Sequence, residues 1–275
     1  MAPVLAAPAV AQDAVVLEPI SRWNIDYGEA SCALRRTFAA DATNAELEIL
    51  QEAPGPYFRV TVTSGTLGLV DSKARVRFEP DNRRQVPEFL EPKRLDGRTS
   101  IAFTDSLQEN AMGSQRPYID WSDERRQRRE LEITSLSIED GFDRNIALAV
   151  GEMHEPMEAL RACMSDLYAS WGVDLEVHET LSSPVRGQNV APLTRQVARL
   201  VPRAFFASAS DLPAVVRTIV GPDGRVKRCS VHFAEWDEPL SDQICDVVAR
   251  EARFDPARDR RGRAITSYQA IFIER

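Results

Sequence analysis

The chain holds 275 residues, 43% of them hydrophobic, which is ample for a buried core and, at roughly 100–200 residues per domain, favours two domains over one. A net charge of −8 and a pI near 5.1 give no global electrostatic support to a surface that tracks nucleic-acid phosphates. The basic run Arg125, Arg126, Arg128 and Arg129 is flanked by Asp123, Glu124 and Glu130 and reads as a solvated loop or helix face rather than a binding patch.

The first residues are small and apolar and end in Ala9-Val10-Ala11 before Gln12-Asp13, the pattern of a secretory signal peptide's tail with an A-x-A cleavage site but without its positive n-region. The rival reading is a disordered Ala/Pro-rich tail. The run is too short and too Pro-broken to span a bilayer. The expected division is a signal remnant at 1–11, a β-rich domain with a closing helix at 12–178, a linker at 179–200 and a small domain at 201–275.

From Trp23 to about Ser137 the pattern is that of short strands: Trp23–Tyr27, Cys32–Phe38, Leu47–Leu50, Tyr57–Thr63, Ala74–Phe78, Thr99–Phe103 and Leu131–Thr134. Several alternate apolar and polar residues, and Ala53-Pro-Gly-Pro56 and Glu79-Pro-Asp-Asn82 punctuate them as turns, which predicts a half-solvated antiparallel sheet or sandwich. The period then changes. Met157, Leu160, Met164, Leu167 and Trp171 recur every three or four residues on one helical face, with Pro156 tolerated at the helix start and Gly172 at its end. From Glu176 to Ala198, Ser, Pro, Gly and Asn residues without sustained periodicity predict a linker.

Val215–Val220 and Arg225–Phe233 are β-rich runs joined by Gly221-Pro-Asp-Gly224, in which Pro222 supplies a fixed φ and Gly224 the positive-φ position of a tight turn. Leu240, Ile244, Val247 and Val248 then mark a helical face that starts at Ser241 and Asp242. Phe254-Asp-Pro-Ala257 and Asp259-Arg-Arg-Gly262 lead into a last β-rich run, Ala264–Ile273. Strand, strand, helix, strand predicts a three-stranded antiparallel sheet with one helix, so the fold class is α+β throughout.

Four cysteines, Cys32, Cys163, Cys229 and Cys245, without a C-x-x-C spacing suit an oxidised framework of an exported protein better than a redox motif or zinc site. They permit three pairings. A Cys32–Cys163 bridge would staple the first helix to the sheet. A Cys229–Cys245 bridge would tie the second hairpin strand to the helix after it, worth about 3 kcal/mol on the loop-entropy model.

The hairpin turn Pro222-Asp-Gly-Arg-Val226, Cys229, the helix, Ala252-Arg-Phe-Asp-Pro-Ala257, Gly262 and the closing Tyr268–Ile273 strand together resemble the TonB C-terminal domain family over the last fifth to quarter of the chain. Trp23, Tyr27, Cys32, Arg36 and Phe38, with Cys163, Leu167 and Trp171-Gly172, are similar more loosely to exported hypothetical proteins carrying the same label. The resemblance implies a periplasmic energy-transducer-like module, with a transport role, that pairs strand to strand with a short segment of an envelope protein such as a TonB-dependent outer-membrane receptor. The strand for that job is Ile265–Ile273, with Ile265, Thr266, Ser267, Tyr268, Gln269 and Ile271 as candidate contacts; the bland alternative is a purely structural edge. Two departures bear on force transmission: no transmembrane anchor and no long Pro-rich spacer stand in the sequence.

Catalytic patterns are sparse. His154, His178 and His232 stand alone, without a His-Glu-x-x-His pair, and neither a Gly-x-Ser-x-Gly elbow nor a phosphate loop or dinucleotide fingerprint is present. Adjacent carboxylates such as Glu139-Asp140 and Asp237-Glu238 seldom aim at one substrate atom. No cofactor and no metal is expected. The expected role is a periplasmic binding or adaptor protein, with an exported enzyme carrying its site in the N-terminal domain as the alternative.

Overall fold

The computed structural model describes residues 14–53, 57–70, 74–80, 90–95, 97–107, 123–178, 180–201, 214–232 and 238–273. The signal-like segment, most of the two expected turns at 53–56 and 79–82, and Phe233 lie outside them.

Six of the seven runs read from the N-terminal sequence form strands, namely β2 (Asn24–Tyr27), β3 (Cys32–Ala40), β4 (Thr43–Gln51), β5 (Phe58–Ser64), β6 (Arg75–Glu79) and β8 (Arg98–Asp105), and β1 (Val15–Pro19), β7 (Leu90–Leu95), β9 (Ser135–Glu139) and β10 (Ile146–Leu148) join them unanticipated. They form one curled mixed sheet in the order β6-β9-β10-β1-β3-β4-β5-β8-β7, with β2 also on β3. β1 makes the corner. Its first residues pair parallel with β10 and its last antiparallel with Ala39 and Phe38 of β3, while β2 continues along the rest of β3. The central strands offer one face to the interior: Leu34, Leu47, Ile49, Val60, Val62, Ile101 and Phe103 meet Leu17, Leu136, Ile138, Ile146 and Leu148 in a single core. The opposite face of β3 and β4 is solvated, with Arg35 bound to Asp26 and Glu48.

Helix α1 (Asp123–Glu132) precedes β9, and α2 (His154–Ser170) packs Met157, Leu160, Met164 and Tyr168 on the core. The strand expected at Leu131–Thr134 does not form. Leu131 and Glu132 end α1, whose Glu- and Arg-rich sequence favours helix and is helped by the Asp123–Arg126 pair one turn apart. The arginine run is solvated with one exception: Arg129 is buried and donates to the carbonyls of Phe78, Pro80 and Leu107, tying α1 to the ends of β6 and β8.

The stretch expected as a linker is structured. After α3 (Leu175–His178), it holds β11 (Arg186–Gly187) and α4 (Val190–Ala198), and it buries Val185, Leu193 and Val197. In the C-terminal part, β12 (Ala214–Val220) lies between β13 (Val226–His232) and β15 (Ser267–Ile273), all antiparallel. Helix α5 (Glu238–Glu251) and α4 cover one face of this sheet around Val216, Val220, Ile244, Val248 and Ile271. β14 (Phe254–Asp255) pairs with β11 at the side. Gly224 takes φ +72 in the β12–β13 turn, and a Cβ there would meet the Phe254 carbonyl at 2.3 Å, so the turn demands glycine twice over.

Both expected bridges are present. Cys32–Cys163 joins β3 to α2 with Cα atoms 6.1 Å apart, and Cys229–Cys245 joins β13 to α5 at 5.5 Å. The fold is α+β, and among the described residues no helix is long and apolar enough to cross a membrane.

Candidate functional site

The β15 edge comes first. In an antiparallel sheet whose central strand is β12, the two outer strands each keep a row of backbone N–H and C=O groups facing away from the ladder. β15 runs in unbroken register with β12 from Ser267↔Val220 to Ile273↔Ala214 and pairs with no other strand among the described residues. β13, on the other side, carries a register irregularity at Ile219/Val220, exposed Lys227 and Arg228, and the disulfide to α5. Bulges and charges are what blunt an edge. β15 is thus the flatter and less guarded of the two.

The six candidate contact residues fall into two groups. Ser267 and Ile271 are buried toward α4 and α5, and Ile265 packs on that core. Tyr268 points to the opposite face, against Tyr168 at 4.9 Å between ring centroids and stacked on His178 at 4.5 Å. Those four side chains hold the module together. Thr266 and Gln269 are half-exposed, and the Gln269 amide donates to the Ala270 carbonyl. What this edge can offer a partner is mainly backbone.

Alternation along β12 sends Arg217 and Ile219 away from the helices and onto the N-terminal domain. Arg217 is 2% exposed. Its guanidinium donates to the Glu52 carbonyl and to Ser230 Oγ at 2.9 Å, and it stacks over the Trp171 ring, 4.3 Å from the centroid. Arg228 reaches the same ring at 5.4 Å. Burial pulls the Arg217 pKa down and pushes the Tyr168 phenol well above its usual range, with the Arg217 charge opposing the latter shift. The resulting seam of Tyr168, Trp171, Arg217 and Tyr268 backs the sheet that carries the β15 edge.

His178, placed on that seam by α3, has its pKa lowered by burial. An ordinary histidine titrates near 6.5, so above that value the ring is neutral in both folded and unfolded chains and its packing on Tyr268 costs no ionisation. As pH falls through about 6.5 the unfolded chain takes up the proton first and stability is lost. Thermal melts from pH 8 to 5 are expected to fall below about pH 6.5, and His178→Phe should flatten that limb.

A second cluster joins α1 to α2. Glu130, 2% exposed, receives His154 Nδ1 at 3.0 Å and the fork of Arg161, with Nη1 at 2.7 Å and Nη2 at 3.0 Å, and Arg161 also binds Glu158. Ligand-type atoms of Glu130, His154 and Glu158 lie within 4.8 Å of one another. The guanidinium already neutralises both Glu130 oxygens, so the group is satisfied as an ion-pair clamp. Glu130 and His154 sit on different elements, so no local pattern links them, whereas Glu158 and Arg161 stand at i,i+3 on one helix. The side chain of His232 lies outside the described residues.

No family model, no curated protein and no solved structure matches this chain. The class that fold and geometry define is a disulfide-stapled α+β protein with a small three-stranded C-terminal sheet whose outer strand β15 pairs only with β12 among the described residues.

Proposed function

We propose that the protein is an exported, periplasmic binding or adaptor protein whose TonB-like C-terminal module docks an extended segment of an envelope protein along β15. The observation that carries this reading is the seven-residue outer strand Ser267–Ile273, paired on one side only among the described residues and lacking the bulge and charges that guard β13. Such an edge recognises backbone first, and the partner's side chains add selectivity on alternate faces. The two disulfides fit an oxidising compartment. A TonB-dependent outer-membrane receptor is the partner the sequence resemblance suggests, and the role is binding rather than catalysis.

The rival, chemistry in the N-terminal domain, draws on His154 held by buried Glu130. Its weakness is that the Glu130 charge is spent on Arg161.

A photo-crosslinking residue at Gln269, half-exposed on the edge strand, is expected to capture one defined envelope protein in cells, whereas the same residue at Lys227 on β13 is expected to capture none. Equal labelling from both positions, or none from Gln269, would remove the proposal.

A further inference from the structure

Just before β15 the chain makes a hairpin that the docking reading does not use. Ile265 N–H donates to Ala257 O at 3.0 Å, Asp259 N–H to Arg263 O at 3.0 Å and Gly262 N–H to Asp259 O at 2.9 Å, with Gly262 at φ +76. This is the arrangement of a turn closed by a left-handed glycine, and it places Arg260 and Arg261 at the outermost positions.

The tip is built to be rigid. Asp259, 6% exposed, accepts the N–H groups of Arg261 and Arg263 at 2.9 Å each and the Arg263 guanidinium at 2.7 Å and 2.8 Å. Burial raises its pKa, but the Arg263 side-chain bond and the two backbone bonds outweigh it, so the carboxylate is held below its ordinary range. Arg258 is tied to Gly262 O at 2.8 Å. Arg260 and Arg261 are exposed, and neither guanidinium has an ion pair among the described residues.

Charge is segregated here. Residues 256–263 hold four arginines against one aspartate, a net +3, so a chain of net −8 carries −11 elsewhere.

We propose that this arginine tip is a contact site for an anionic phospholipid surface. Charge complementarity selects the partner: two exposed guanidiniums without acid partners among the described residues, at the outermost positions of a turn of net +3, suit several phosphates laid out in a plane. The exposed tip carries no apolar side chain, so the contact stays at headgroup level and depends on charge. At the strength typical of a basic residue near an anionic membrane, a net +3 enriches the protein at the surface roughly a hundredfold, a weak and reversible contact. The −11 on the rest of the chain turns that end toward the lipid and the remainder away.

The test is co-sedimentation of the oxidised full chain with phosphatidylcholine vesicles, with and without phosphatidylglycerol, at low and high salt. Binding is expected only with phosphatidylglycerol and at low salt. Arg260→Ala/Arg261→Ala should lower it about tenfold or more at unchanged melting temperature. Arg260→Lys/Arg261→Lys should retain most of it, because a planar charge array does not need the guanidinium fork. Equal binding to neutral vesicles, no binding at low salt, loss in the lysine variant, or displacement by inorganic phosphate at matched ionic strength would each overturn the proposal. None of these outcomes touches β15, so crosslinking from Gln269 stands or falls separately.

Discussion

Replacing Cys32 and Cys163 together by alanine is expected to destabilise the protein by about 4–5 kcal/mol, the largest single effect available in the fold. The bridge spans a sequence separation of 131 residues, and the loop-entropy model assigns its largest gains to such long closures. Against the 5–15 kcal/mol typical of a whole domain, that loss brings the N-terminal part close to unfolding. Both sulfurs are fully buried between β3 and α2, which makes alanine the cleaner choice, since serine would add two buried hydroxyls. The Cys229→Ala/Cys245→Ala pair is expected to cost less, about 3 kcal/mol, because its separation is 16 residues. Those two sulfurs are only partly buried, so under mild reductant they should become alkylatable first. Denaturant unfolding of both variants checks the order of cost, and timed alkylation checks the order of access. If the first pair proved no less stable than wild type, α2 could not be anchored to β3 as described.

Why these bridges could be anticipated while other features could not is a matter of range. Alternation within β4, Ala45, Leu47 and Ile49 in and Glu46 and Glu48 out, is a local signal, and so is the spacing of Met157, Leu160 and Met164 on α2. The hairpin, α5 and closing strand were legible for the same reason. β10 was not, because three residues cannot establish a period, and its place depends on β1 arriving from far away in sequence. At Leu131–Thr134 two apolar positions two apart imitated a strand, but the charged residues before them had already committed the backbone to helix. Leu193 and Val197 of α4 and Val201 just past its end do repeat every four residues; Pro184, Gly187 and Pro192 around them masked it, although Pro192 lies in the first turn, where a missing N–H costs nothing. The candidate edge strand was readable as a strand, and its side chains' commitments were not, since Tyr268 answers to Tyr168 and His178 on other elements.

Arg217 is the clearest case of a role set wholly by tertiary contact, and its substitution carries the second large expected effect. In Val-Val-Arg-Thr-Ile-Val it reads as the polar member of an alternating strand, destined for solvent, yet α2 and the end of β4 close over it. Carbonyl, hydroxyl and ring contacts stabilise the charge, and the negative charge of Glu52 adds to them. Arg217→Ala removes those donors and leaves a void against Trp171, and about 3 kcal/mol of destabilisation is expected from the two losses combined. Arg217→Met fills most of the void and lies over the indole without a charge to desolvate, so it should cost about 1 kcal/mol. Arg217→Lys should fare worse than Met, because a strongly hydrated ammonium would be buried without the fork that now reaches two acceptors. That ranking, Met above Lys above Ala in melting temperature, separates a packing seam from an electrostatic one, since a charge-dominated site would put Lys first. Because β12 is the partner of β15 along its whole length, the Ala variant should also loosen the edge strand, seen as faster amide exchange from Ser267 to Ile271, while β4 and β5 keep their protection.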